Sequence, residues 1–299
     1  MLRALVMYGS LTLHDGVLYV GRQAKTAWVS SYDLDGRPLQ TCFSFCDETQ
    51  GRSSASGLAM DDDHRLWVAD QPAGVVRAFT LFGVQVACVG DPEETRSRDA
   101  RGVLGAPADV LALGSDDELT LVIASHGHRR HALQLFRAHQ GRVQSLRPLG
   151  DPRGVFRDLS GLAQAGEWLY AAEEGAGRIQ VFRSGDFHYS LPVLDGRGRS
   201  VGPVALDILD ENTLVVAVTS PTSALLLLDL RGRVRKILAT EGTRVGEVSA
   251  LEDVVVEQGG LRPGAAQARL LVLDQDGTRV QVFSPEGQCY GCFPRLAGT

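Results

Sequence analysis

Three histidines fall within six residues in the stretch His126-Gly127-His128-Arg129-Arg130-His131. Imidazole nitrogens at that density suit a transition metal. Two arginines in the same stretch oppose a bound dication through their fixed charge, and a solvated cationic loop is the competing reading. Asp109, Asp158 and Glu247 offer a second chemistry, an oxygen-lined site for a divalent cation, calcium or zinc. Five cysteines make a third set, and an odd number cannot all pair. Cys42 and Cys46 are spaced CxxxC and Cys289 and Cys292 CxxC, without the surroundings of a zinc knuckle. Cys42, Cys88 and Cys292 each follow a recurring glycine by five or six residues. That placement predicts reduced thiols acting as small packing residues, with Cys88 buried. No GxSxG, phosphate-binding glycine loop or HExxH occurs.

The elements that must position these groups are set by a repeat. An aromatic residue or leucine closes an apolar run, and a glycine follows before the next run. The closing residues are Tyr32, Phe79, Phe136, Phe182, Leu228 and Phe283, at intervals of 46 to 57 residues. A period in this range marks a repeat architecture. The second repeat is the clearest: Ser56 to Met60, Leu66 to Ala69, Val75 to Phe79 and Val84 to Val89 are short apolar runs separated by turn residues. Four short antiparallel strands per repeat, with nothing helical between repeats, predict a propeller blade. The fold expected is therefore all-β, a six-bladed β-propeller in one domain over residues 1–299. The blades fall near 1–46, 47–90, 91–149, 150–192, 193–239 and 240–299. The first and last repeats each own four strands, so the first blade is expected to pack on the sixth without exchanging a strand. The alternative is a pairing of Leu2 to Tyr8 with the last blade. Gln134, Gln180 and Gln281 stand two residues before a closing aromatic. Alternation puts glutamine and aromatic on one blade face, near its rim.

The stretches Gly57-Leu58-Ala59-Met60-Asp61, Leu66-Trp67-Val68-Ala69-Asp70 and Gly177-Arg178-Ile179-Gln180-Val181-Phe182 resemble NHL repeats. The resemblance runs over nearly the whole chain and is strongest in the second, fourth and sixth repeats. It implies a six-bladed propeller but no single activity, since such propellers include sensors, protein- and RNA-binding modules and an amidating lyase. The similar lyases draw zinc histidines from separate blades, whereas His126, His128 and His131 share one loop.

In a propeller, the loops from second to third strand and the blade-to-blade links share a face. Asp109 takes the place of Gly57 and Gly161 at the start of an innermost strand, which aims a carboxylate toward the channel mouth. Asp158 and Glu247 precede two other innermost strands. Asp70 and Asp274 are expected to accept N–H bonds within their own turns. His14 and His64 lie on the opposite face and are given no role. The long link from Asp91 to Pro107 is expected beside the histidine loop. Together they give a candidate binding surface of Arg98, Arg101, Arg129, Arg130, His126, His128 and His131.

Net charge is -6 and the pI about 5.7, and arginines in the links are matched by acids, so nucleic acid is disfavoured. No apolar stretch is long enough to span a bilayer. Met1 to Asp15 lacks the length and cleavage context of a secretory signal, so a cytoplasmic location is expected unless a leader was removed. The function expected is a non-catalytic binding propeller for a protein or peptide, with no cofactor. The alternative is a metal-dependent hydrolase or lyase at the channel mouth.

Overall fold

Apolar runs of four to nine residues between turns cannot bury two faces alone, so they assemble into sheets that cover one another. The computed structural model describes residues 9–22, 26–46, 51–90, 100–137, 142–148, 154–259, 267–275 and 278–293. Six four-stranded antiparallel sheets form the blades of a β-propeller. Blade one holds β1 (Gly9–His14), β2 (Val17–Arg22), β3 (Ala27–Asp33) and β4 (Pro38–Phe45). Blade two holds β5 (Gly57–Met60), β6 (Leu66–Asp70), β7 (Val75–Phe79) and β8 (Gln85–Val89). Blade three holds β9 (Pro107–Leu113), β10 (Thr120–Ser125), β12 (Leu133–Arg137) and β13 (Arg142–Ser145). A two-stranded ribbon, β11 (His128–Arg129) with β14 (Phe156–Arg157), joins its histidine loop to the following link. Blade four holds β15 (Leu159–Ala165), β16 (Trp168–Glu173), β17 (Arg178–Arg183) and β18 (Asp186–Pro192). Blade five holds β19 (Gly202–Asp210), β20 (Thr213–Ser220), β21 (Ala224–Asp229) and β22 (Val234–Thr240). Blade six holds β23 (Asp253–Glu257), β24 (Arg269–Asp274), β25 (Arg279–Phe283) and β26 (Cys289–Phe293).

The core lies between blades. Each hydrophobic cluster draws on two neighbours, as where Tyr19 and Val29 of blade one meet Leu58, Val68 and Phe79 of blade two. Middle strands are therefore buried on both faces, and every residue of β6 is buried. This explains why β6 and β24 read as continuous apolar runs rather than alternating ones. The closing residues Tyr32, Phe79, Phe182, Leu228 and Phe283 are buried plugs of these interfaces, and Phe136 is half-buried.

Around the axis, each innermost strand is stitched to the next. Ser56 and Ser160 donate their hydroxyls to Pro107 and Pro203 of the following blade, at 3.0 and 2.9 Å. The adjacent Gly57 and Gly161 let that strand come close: a Cβ would lie 2.5 Å from Asp109 Cα and 2.9 Å from Ala205 Cα. The recurring Ser-Gly-Leu-Ala is thus a junction motif. Closure between blades six and one uses the same principle. Asp253 accepts from the Ser10 hydroxyl (2.8 Å) and the Leu11 N–H (2.7 Å), and Arg269 donates to the Leu34 carbonyl (2.8 Å). Among the described residues each four-stranded sheet is made of strands of its own blade; Leu2 to Tyr8, the alternative partner for the last blade, lie outside them.

Two expectations are corrected here. Gln134, Gln180 and Gln281 are fully buried, not at the rim. Gln180 and Gln281 donate to Glu173 and Asp274, and Gln134 donates to the Val103 and His131 carbonyls. Cys88 is exposed, as are Cys46 and Cys292, while Cys289 is half-buried. These cysteines fall on or beside the outermost strands, and strand alternation turns one side of such an edge to solvent.

The buried carboxylates ending β6, β16 and β24 lock the loop-bearing face. Glu173 accepts from the Arg157 N–H (2.8 Å), Arg178 Nε (2.6 Å) and Gln180 Nε2 (2.7 Å). Removing it leaves a buried amide and a guanidinium unpaired. Glu173→Ala is expected to cost about 3–5 kcal/mol of stability. Glu167→Ala, which removes an exposed pair with Arg183, should cost under about 1 kcal/mol. Urea denaturation of the two variants measures both.

Candidate functional site

Asp70 fixes the link that precedes its blade. It accepts from the Ser54 N–H (3.0 Å) and Ser53 Oγ (2.8 Å), and Arg77 donates to it at 3.1 Å. Asp274 binds Arg279, Gln281 and the Ser249 N–H in the same way. Both carboxylates therefore tie a blade to its entering link, not to their own turns as expected. Arg129 does the same from the other side. It is buried, and its guanidinium donates to the Val103 and Leu104 carbonyls. The His126 N–H reaches the Ala106 carbonyl at 2.8 Å. The end of the long link thus lies against the histidine loop, as expected, but Arg129 is the clamp between them rather than part of an outward surface.

The other candidates have separate surroundings. His128 is exposed, with Nε2 3.6 Å from the Asp158 carboxylate. His131 Nδ1 lies 2.8 Å from Ser145 Oγ. His126 is half-buried at the channel mouth; burial pushes its pKa down, against an upward pull from Asp158. The three rings point to three places and do not form one ligand set. Arg101 and Arg130 are exposed, and Arg98 lies outside the described residues. Asp158 accepts the Gly127 N–H at 3.0 Å, and Glu247 accepts the Arg244 N–H within its own turn at 3.0 Å. Asp109 stands apart from both, inside the channel. Their carboxylates do not gather around one point as a cation would require.

The channel opens to the loop face through a cavity of about 340 Å³ lined by Gln71, His126, Thr219, Glu174 and Glu252. Beside it, a groove of about 670 Å³ runs between blades four and five, lined by Arg157, Asp158, Glu174, Arg178, Ser200 and Ser220. Glu174 is shared by both, and burial, then the Asp158 charge, raises its pKa. The surface of the groove and the channel mouth is thus of mixed charge.

The inner half of the channel, a cavity of about 430 Å³, holds Asp109, Asp207 and Asp253. Each uses one oxygen for the next residue's N–H and the other for the next blade. Asp109 takes the Val110 and Leu162 N–H groups at 2.8 and 2.7 Å. Asp207 takes those of Ile208 and Val256 at 2.7 and 2.6 Å. Asp253 takes the Val254 N–H at 2.7 Å besides its bonds to blade one. Sequence reasoning found Asp109 and missed the other two. Asp207 carried a signal, a lone aspartate within the apolar Leu206-Asp207-Ile208, whereas Asp253 follows Glu252 directly and opens its strand, so nothing local set it apart.

No family model matches the chain, and no curated protein sequence matches it. Solved structures do match in fold. Virginiamycin B lyase from Staphylococcus aureus, as selenomethionine protein, aligns with a TM-score of 0.59 at 11% identity, over 98% of this chain and 85% of that one. A chain of a nidogen/laminin complex aligns with a TM-score of 0.61 at 14% identity, over 93% of each chain. The WD40 β-propeller domain of Doa1 aligns with a TM-score of 0.59 at 11% identity, over 95% and 81%. At these identities the likeness is one of architecture.

The channel carboxylates make stability depend on pH. Burial pushes Asp207 and Asp253 up to about 6 from an ordinary 3.8, and the Asp207 charge adds to the shift at Asp253. Burial and the facing Asp253 charge hold Asp109 well above the usual carboxylate range. The folded protein then binds more protons than the unfolded chain between these values. Its stability is greatest near the lower one and falls as pH rises through about 6. The urea midpoint is expected to drop from pH 4.5 to 7. Asp207→Asn combined with Asp253→Asn should flatten that dependence; an unchanged slope would assign it to other groups.

Proposed function

We propose that this protein is a non-catalytic binding propeller, with NHL-type repeats, that engages a protein or peptide through its loop-bearing face. One observation carries the reading: the mixed-charge groove between blades four and five lies on a face whose links are locked by Asp70, Arg129, Glu173 and Asp274. Such a face is preorganised, so little ordering cost falls on the protein when a partner docks. Around the groove and the adjoining histidine loop, Arg101, Arg130, Arg157 and His128 are exposed beside Asp158 and Glu174. Arginine forks read carboxylates, and the acids read lysine or arginine, so a peptide carrying both charges fits better than a polyanion. The acidic channel and net charge of -6 add to the case against nucleic acid. Propellers in this fold neighbourhood include both a chain of a nidogen/laminin complex and a lyase, so the reading rests on the groove and not on the likeness. Exposed cysteines outside any disulfide, Cys46, Cys88 and Cys292, suit a reducing compartment such as the cytoplasm. No helix among the described residues is long and apolar enough to cross a membrane.

The test is selection of peptides from a random library on the immobilised protein. Selected sequences should bind a variant carrying Arg101→Ala, Arg130→Ala and Arg157→Ala at least about tenfold more weakly, because three rim charges are lost. They should bind a variant of the acidic turn, Asp116→Ala with Asp117→Ala, as well as the parent. Arg129 is left intact because its loss would disturb the fold. Binding that survives the arginine changes and fails with the acidic ones would place the interaction on the opposite face.

A further inference from the structure

We propose that His14, Asp15 and His64 form a binding site for a divalent transition metal of the zinc class, clasping blades one and two on the face opposite the binding loops. Among the described residues these are the one group whose ligand atoms gather, all within 4.8 Å of one another. His14 Nε2 lies 3.2 Å from His64 Nδ1 and 3.4 Å from the Asp15 carboxylate. A tetrahedral ion bound at about 2.0–2.1 Å sets its ligand atoms about 3.3 Å apart, close to the two distances from His14 Nε2, and the third pair lies within 4.8 Å. The rings stand edge to face, at 82° with centroids 5.3 Å apart.

Hydrogen bonds within the cluster cannot use all of its close contacts at once. A ring nitrogen has one in-plane position, either a proton or a lone pair. If His14 Nε2 carries the proton, it can serve His64 or Asp15, not both well. If it carries the lone pair, His64 donates to it and the Asp15 carboxylate faces an acceptor. A cation at the shared point is bound by all three. Two imidazoles and one carboxylate favour zinc, nickel, copper or cobalt over calcium or magnesium. The Asp15 side chain is 76% exposed, which leaves a fourth position to water.

The backbone gives an independent reason. His64 adopts a left-handed φ of 58° in a turn where the Asp61 carboxylate accepts the Asp63 and Arg65 N–H groups. Turns with the same bonding begin at Asp33, Asp195, Asp229 and Ser284. Their left-handed residues are Gly36, Gly198, Gly232 and Gly287. Only His64 places a side chain where its sister turns have glycine, and that side chain points at His14. Asp61 also binds Arg65 Nε and the Trp67 indole, which fixes the turn. On the other blade, Asp15 (φ 48°) and Gly16 (φ 76°) form the tight hairpin turn that brings His14 and Asp15 to one side.

The full chain, stripped of metal and kept reduced, is titrated with Co²⁺ and Zn²⁺. One ion per chain is expected, with the visible spectrum of four-coordinate Co²⁺ and a rise in Tm on loading. His64→Gly restores the residue of the sister turns, so the variant should fold with an unchanged or higher Tm in the absence of metal. It should bind at least about tenfold more weakly, since even partners one shell further out are worth that much. His14→Ala should weaken binding similarly, and His188→Ala should leave it unchanged. No binding by the parent at micromolar metal would overturn the proposal. So would binding that survives both His64→Gly and His14→Ala, whether held by the cysteines or by the loop from His126 to His131.

Discussion

Everything in this molecule depends on how six innermost strands meet at the axis. Each such strand has a sheet partner on one side only, and its other edge turns toward the next blade and the channel. Backbone N–H and C=O groups at that edge need partners, because buried polar groups left unpaired are costly. The ring meets the requirement with side chains. Ser10 accepts the Leu58 N–H, while Asp109, Asp207 and Asp253 accept those of Leu162, Val256 and Leu11. At the two remaining junctions Ser56 and Ser160 donate outward, and a glycine makes room. The carboxylates in the channel are thus first of all structural, and their raised affinity for protons follows from where the stitching puts them. With most of their oxygen capacity directed at backbone, and no three of their oxygens gathered, they make a poor cage for an ion.

A second ring of interactions lies further out, at the ends of the second strands. There Asp70, Glu173 and Asp274 reach back to the entering link, while arginine and glutamine from the third strand close over them. Since loops are where a scaffold usually gives way, this arrangement separates two properties. The links can vary in sequence and charge because their ends are pinned by buried bonds. In blade three the carboxylate is replaced by Ser125, and the task passes to Arg129 and Gln134, which hold the link through its carbonyls and the Gly102 N–H. The same mechanical requirement has been met with opposite charge.

The fold was legible because its signals are local and repeated. Turn residues and apolar runs define the strands, and Ser56-Gly57 and Ser160-Gly161 carry the junction in two adjacent residues. What escaped depends on neighbours far away in sequence. Asp207 looks like an isolated acid in an apolar strand and Asp253 like half of an acidic pair with Glu252, and only the ring closes them around Asp109. Arg129 reads as one of several loop arginines until the link carbonyls are seen around it. Cys88 sits at a repeating position, which suggested packing, yet repetition does not distinguish a shared interior from a shared edge. His14 and His64 are fifty residues apart, each in a turn of its own blade, and equivalent turns of adjacent blades are neighbours only once the strand register is known.

Those two turns also show how a repeat scaffold acquires something particular. A turn that recurs with glycine in its left-handed place can accept another residue there only at a local conformational cost. In five comparable turns among the described residues the cost is accepted once, at His64, and there the side chain meets a histidine and a carboxylate from the adjoining blade. The departure from the repeat is therefore better evidence of a site than any of the repeating features. On the loop face the same logic applies in reverse. Charge varies from link to link while the locking bonds recur, so the links can differ in chemistry without loosening the face they frame.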